Sequence, residues 1–326
     1  MEFKYKVKAS DLGRSYGQIL QETFGISSLL LKKIRLYGSL LVNGKPKRMI
    51  DKAELGDEIS AFPAKDKADV VPFRVKRLLN IPIIYEDDHV VIVNKPADLV
   101  VHPSFTHPNG SLIDLLADRT LHPVTRLDRE TSGLMILAKH PYAHYRLMQN
   151  KMTRKYLAIS HGIWAEKEGL IDAPIRRCPD SIILRIVAPD GKVAQSHYRV
   201  LAESVENNCS LLEFNLVTGR THQIRVHSLY SGRPLLADGL YGLSDYIKGA
   251  HNKPVPQRQK DLSRIKEDQQ VYFKSLLNTD QYQLDLKLKR QALHAYYLDF
   301  YHPISSQKMV FNIGLDKDMD KLMELF

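Results

Sequence analysis

Three polar clusters interrupt the apolar patterning of this 326-residue chain. The first is Arg126-Leu127-Asp128-Arg129-Glu130-Thr131-Ser132-Gly133, the second Arg154-Lys155-Tyr156-Leu157-Ala158, and the third runs from Thr218 through Arg220, His222 and Arg225 to His227. An ordinary core does not bury such charge cheaply. Gly133 offers a tight turn just before an apolar run at Leu134, which leaves Asp128 on a loop at a sheet end. A loop aspartate with arginines nearby can be ionised and nucleophilic. The third cluster follows a strand and reads as a helix start, with Thr218 or Thr221 as cap and Ser231-Gly232-Arg233-Pro234 as stop. His222 and Arg225 then share a face. Taken singly, the clusters have plain readings: a surface ion pair, a core tyrosine and a capped helix.

The elements that must position these residues fall into two groups. From Ser15 to Phe62 the chain reads as a small helix-plus-hairpin module. Short helical patterning (Ile19, Leu20, Phe24, then Leu29, Leu30, Ile34) is followed by a strand at Leu40–Val42, an Asn43-Gly44 turn of type I′ and a closing strand at Asp57–Phe62. The domain is taken as 1–62, and 63–80, which mixes charge with Pro72 and lacks a period, as a linker. From Ile81 to Phe326 a second domain is expected. Its strands are placed at Ile83–Tyr85, Val90–Val93, Leu134–Ala138, Tyr156–His161, Ser196–Leu201, Leu211–Val217 and Leu293–Tyr301, with a helix from Pro141 to Met152. Strands do not alternate strictly with helices, so the fold class expected is α+β, with a mixed, largely antiparallel sheet. The polar, lysine-rich stretch 243–292 reads as a partly mobile insertion.

Charge narrows the partner. The chain holds 47 Lys+Arg against 37 Asp+Glu, and the excess is local: residues 1–80 carry 16 basic and 9 acidic side chains, residues 243–292 carry 10 and 6, and the remainder 21 and 22. Two basic segments flank a near-neutral body, which favours a polyanion at the first quarter of the chain. Two cysteines, Cys178 and Cys209, are too few for a disulfide framework, and no apolar run approaches the ~18 residues of a spanning helix. Met1 to Ser10 has no apolar signal core, so a soluble cytoplasmic protein is expected. Gly38 to Lys45 has five residues between its glycines and Pro46 where a phosphate loop needs Ser or Thr. His222 and His227, five apart, share a face of neither helix nor strand, and no metal site is expected.

Together the clusters resemble, in order along residues 81–326, the RluA-type family of RNA pseudouridine synthases. The resemblance rests on Ile83 to Pro96 with Val101-His102-Pro103, on Arg126-Leu127-Asp128 with Thr131-Ser132-Gly133, on Tyr156-Leu157-Ala158, and on Gly219 to His227. It continues through Gly232-Arg233-Pro234 with Asp238 and Tyr241-Gly242, and Leu293-His294-Ala295 with His302-Pro303. The N-terminal module is similar to an S4 RNA-binding domain at Leu31-Lys32-Lys33, Leu41 to Lys45 and Gly56-Asp57. The chain departs from the family pattern at Thr125, where His is usual, and at Ala237, where Gly is usual.

The resemblance implies isomerisation of uridine in structured RNA to pseudouridine, without a cofactor, by a pseudouridine synthase fold; a monomer is the default expectation, which the sequence does not address. Ribosomal RNA is expected in preference to transfer RNA. The family's aspartate, tyrosine and basic partner fall on Asp128, Tyr156 and Arg225, with Arg126, Thr131 and His222 as substrate-binding residues. Asp128 must be ionised to act as a nucleophile, and a cation at Arg225 would stabilise that form. Tyr156 offers a ring for the extruded base and a phenol for proton transfer; Arg126 is placed to contact a phosphate or fill the vacated space. Attack on the sugar, addition to the base and removal of a sugar proton are all open first steps for Asp128. Two other classes of function remain: a non-catalytic RNA-binding or ribosome-assembly factor, which would not need Asp128, and a metal-dependent hydrolase, which would need paired ligands the sequence lacks.

Overall fold

The structure is a computed structural model that describes residues 2–37, 39–62, 73–78, 80–103, 107–179, 181–243, 264–277 and 281–326. The N-terminal part comprises β1 (Phe3–Lys6), α1 (Tyr16–Phe24), α2 (Ser28–Tyr37), β2 (Ser39–Val42), β3 (Lys45–Pro46) and β4 (Glu58–Phe62). Its sheet is antiparallel in the order β1-β4-β2-β3. Ser15 caps α1 in a reciprocal box with Gln18, and Gly25 ends it at φ 58°. Ile19 and Leu20 of α1 pack with Leu30 and Ile34 of α2 over Leu40, Val42 and Ile59. Asn43 and Gly44, at φ 51° and 77°, make the expected I′ turn. β1 was not expected: its alternation of Phe3 and Tyr5 with lysines is too short to stand out.

The remaining elements are β5 (Ile83–Glu86), β6 (Val90–Lys95), α3 (Leu112–Leu116), β7 (His122–Pro123), β8 (Ser132–Ala138), α4 (Pro141–Gln149), β9 (Met152–His161), β10 (Glu168–Asp172), β11 (Ile175–Arg177), β12 (Arg185–Val187), β13 (Gln195–Ser204), β14 (Cys209–Leu216), α5 (Gln223–Tyr230), α6 (Gln270–Leu277), α7 (Tyr282–Asp285), β15 (Leu293–Tyr301), β16 (Lys308–Asn312) and α8 (Lys317–Asp320). Among the described residues most strands join one sheet in the order β10-β13-β14-β9-β15-β8-β6-β5, with β16 beside β15 and β7 beside β8. Among the described residues only the β8–β15 pair is parallel, which makes a mixed, largely antiparallel α+β arrangement. Strand β8 is buried along all seven residues, because both faces of the sheet are covered there. Met135 and Leu137 join Tyr156, Phe214 and Ile224 on one face, while Leu134 and Ile136 join Ala143, Leu147 and Phe300 on the other.

That parallel pair also fixes the loop before it. At Gly133, φ is 116° and a Cβ would fall 2.2 Å from the Ala295 carbonyl oxygen, so only glycine admits β15 this closely. The described end of the 63–80 segment, residues 73–78, lies on the sheet domain: Val75 is buried in its core, and Lys139 Nζ donates to the Phe73 carbonyl. The 243–292 segment lies partly outside the described residues. Its described parts pack firmly, with Phe273 of α6 and Leu284 of α7 buried and Asp285 tied to His161.

Candidate active site

Asp128 lies in the loop between β7 and β8, and that loop is held from several sides. The Thr131 amide closes a turn on the Asp128 carbonyl at 3.1 Å, and Gln291 Nε2 donates to Thr131 Oγ1 at 2.9 Å. Lys95, fully buried at the end of β6, donates to the carbonyls of Pro96, Leu99 and Arg129 at 2.8, 2.9 and 2.9 Å. Burial pulls the Lys95 ammonium down to about 7, with the Asp128 carboxylate acting in the other direction. Its three protons each meet a carbonyl, which is the arrangement of an ammonium. Thr125 is turned away from the cleft: it is buried, and its hydroxyl accepts from the Ile136 amide.

Asp128 faces the start of α5. Arg225 Nη1 donates to Asp128 Oδ2 at 2.9 Å, while Nε and Nη2 form a fork on Asp238 at 2.7 Å each. Two carboxylates thus share one guanidinium in a site where Arg225 and Asp238 are buried. Burial works against the Arg225 charge, but Asp238 and then Asp128 outweigh it and raise its pKa. For Asp238, burial pushes the carboxyl up, yet Arg225 and the backbone amides of Leu240 and Tyr241 hold it below the usual carboxylate range. Tyr241 stands over the guanidinium with 5.1 Å between them.

His222 is the cap residue of α5, in the left-handed region at φ 58°, and not the Thr218 or Thr221 expected from sequence. The difference has a physical cause: Gln223 serves the turn instead, its Oε1 accepting from Thr218 Oγ1 and the Arg220 amide. This frees His222 to place Nδ1 on the Tyr241 hydroxyl at 2.8 Å and Nε2 at 3.8 Å from Asp128. Burial lowers the His222 pKa, Asp128 opposing and Arg225 reinforcing. His227, by contrast, faces Ser196 and the Ala173 carbonyl, away from His222. Among the described residues no group of three His, Cys, Asp or Glu is placed to hold a metal ion.

Tyr156 comes from β9, paired with Ala295 on one side and Phe214 on the other. Burial pushes its phenol up, with Arg154 opposing and Asp128 reinforcing. The six residues singled out from sequence, Arg126, Asp128, Thr131, Tyr156, His222 and Arg225, line one cleft that opens to solvent. Leu127, Leu216, Arg220, Gln223, Ile224 and Leu293 complete its wall. Sequence reasoning gave no role to Lys95, Asp238 or Tyr241. The signal for Lys95 was present: a lysine closing an otherwise apolar strand has to be fully satisfied inside.

Residues 89–230 match the family described as RNA pseudouridylate synthase. The chain is 35% identical over 314 residues to the uncharacterized RNA pseudouridine synthase YjbO of Bacillus subtilis, covering 92% of this chain and 95% of that one. It is 33% identical over 336 residues to ribosomal large subunit pseudouridine synthase D of Escherichia coli K12, covering 98% and 92%. Among solved structures, human RNA pseudouridylate synthase domain containing 1 shares the fold with a TM-score of 0.51 at 19% identity, over 76% of this chain and 95% of that one. The chain therefore belongs to the RluA-type RNA pseudouridine synthase family, isomerases acting on RNA. No helix among the described residues is long and apolar enough to cross a membrane.

Proposed function

We propose that this enzyme isomerises specific uridines of large-subunit ribosomal RNA, with Asp128 as its nucleophile. The observation that carries the reading is the 2.9 Å contact of Arg225 with Asp128 in the cleft that Tyr156 floors. Arg225 holds a permanent positive charge against the carboxylate and is itself fixed by Asp238, so the nucleophile is oriented before substrate arrives. Uridine and pseudouridine are isomers: N1 of uracil leaves C1′ of the sugar, C5 takes its place, C5 gives up a proton and N1 regains one. No redox partner or external group is consumed. In this reading the Tyr156 ring, which lines the cleft, stacks on the flipped base and its phenol carries the proton. Thr131 and His222 shape the pocket around Asp128, and Arg126 takes the strand at its mouth.

Large-subunit ribosomal RNA is preferred over transfer RNA because the E. coli relative carries that substrate in its name and covers nearly the whole chain. The basic N-terminal part, 1–62, acts in this reading as an S4-like RNA-docking module. Asp128→Asn, assayed by pseudouridine mapping of unmodified large-subunit rRNA, should lose product while keeping RNA affinity within about threefold. Normal turnover by that variant would remove Asp128 as nucleophile.

A further inference from the structure

On β9, Arg154 lies two residues before Tyr156, a lining residue of the cleft, and so on the same face of the strand. Its surroundings are unusual for a half-buried arginine. Among the described residues no hydrogen bond or ion pair is made by the Arg154 side chain, and its Nε is enclosed without an acceptor. Buried donors are normally matched, so this guanidinium is short of an acceptor. The chain nevertheless makes room for it. A Cβ on Gly219 would fall 2.7 Å from Arg154 Nη1, so a side chain at 219 would occupy the space the guanidinium uses. Gly219 is followed by Arg220, which lines the cleft together with Arg126 on the opposite loop. The Arg154 charge acts on the Tyr156 phenol against that of Asp128, which puts the guanidinium beside the place where a base would stack.

We propose that Arg154 is a phosphate-binding residue of this cleft: its guanidinium grips a phosphodiester of the RNA strand next to the nucleotide whose base enters between Asp128 and Tyr156, and Gly219 is glycine to leave it that place. The proposal rests on the function assigned above. A guanidinium with uncommitted donors matches phosphate geometry by forming two parallel hydrogen bonds, and the arginines at 126 and 220 make the rim attractive to a polyanion. The phosphate is taken by the Nη donors, which are not enclosed and have no acceptor among the described residues, which accounts for a donor set left open in the free enzyme.

The test measures RNA affinity against salt, together with kcat and KM, on the full chain with unmodified large-subunit rRNA transcribed in vitro. Each phosphate contact contributes ~0.7–0.9 to the slope of log affinity against log salt. Arg154→Ala should lower that slope by about one contact and raise KM ~10-fold, with kcat changed less than ~3-fold. Arg154→Lys should restore the slope but only part of the affinity, because a point charge replaces a fork. Gly219→Ala, which changes no charge, should raise KM in the same direction by displacing the guanidinium. An unchanged slope with a fallen kcat and a shifted pH profile would overturn the proposal, since Arg154 would then act through Tyr156. Product formation by the unaltered enzyme is read in parallel. Its absence would refute the pseudouridine synthase reading itself, whereas its presence with an unchanged slope refutes the phosphate contact alone.

Discussion

Ala237 and Asp285 offer a double-mutant cycle whose sign is fixed by the backbone. Ala237 sits at φ 54°, next to Asp238, and its amide donates to Asp285 Oδ1 at 2.7 Å. The same oxygen takes His161 Nε2 at 2.6 Å, and Asp285 and His161 are both buried. The left-handed conformation costs an alanine ~1–2 kcal/mol, whereas glycine adopts it freely but gains ~0.4–1 kcal/mol of unfolded-state entropy. Ala237→Gly should therefore stabilise the enzyme by about 0.5–1 kcal/mol. Asp285→Ala strands two buried donors at ~1–3 kcal/mol each, and a loss of about 3 kcal/mol is expected. It should also release Ala237 from its strained turn, tilt Asp238, and loosen the Arg225 fork, lowering kcat ~10-fold. In the combined variant the turn no longer depends on Asp285, so most of the kcat returns and the stabilities fail to add by about 1 kcal/mol. Urea unfolding and single-turnover pseudouridine formation read both quantities. Additive stabilities within ~0.3 kcal/mol, with Asp285→Ala as active as the parent, would refute the reasoning.

The other predictions address the ion pair, the pH response and the docking module. Asp238→Asn keeps an acceptor for the Leu240 and Tyr241 amides but removes the charge facing Arg225; a loss of ~3–5 kcal/mol in urea unfolding and a kcat lower by at least ~10²-fold are expected, and an unaltered kcat would separate Asp238 from the site. His227 donates from Nε2 to the Ala173 carbonyl and accepts at Nδ1 from Ser196, so it is held neutral, burial lowering it to about 4. The unfolded chain binds this proton below ~6.5 and the folded one only near 4. Stability is thus full above pH 6.5 and lost as pH falls through that window, by up to about 3 kcal/mol at pH 4. His227→Gln should flatten the acid limb of a Tm–pH curve, and an identical limb would contradict the assignment. Deleting residues 1–62 should weaken RNA affinity and reduce its salt slope, whereas a slope equal to that of the full chain would mean the module is no RNA contact.

How much of this was legible in the sequence depended on whether a residue's role was local. Asp128, Tyr156 and Arg225 interrupt apolar runs with groups a core does not accept cheaply, and all three, with Arg126, Thr131 and His222, come to one cleft. Strands β6, β8, β9, β14 and β15 were visible as apolar or β-branched runs, because both faces of the central sheet are covered. Strands β10 and β16, at the rim, alternate with Glu168, Asp172, Lys308 and Asn312 and gave no such run. The cap of α5 was misplaced for a related reason: Thr218 and Thr221 are good caps by local rules, but Tyr241 and Asp128 together draw His222 into a left-handed cap. Asp238 and Asp285 lie 13 and 48 residues from the groups they fix, and no periodicity connects such pairs. Departures from a family pattern carry information here only after the tertiary partners are known. Ala237 in place of glycine reads in sequence as a neutral change; in the fold it is a strained position beside the carboxylate that holds Arg225, tied down by an aspartate from the segment read as an insertion. The chemistry of the cleft is therefore written in a few conspicuous residues, but its rigidity depends on inconspicuous ones far along the chain.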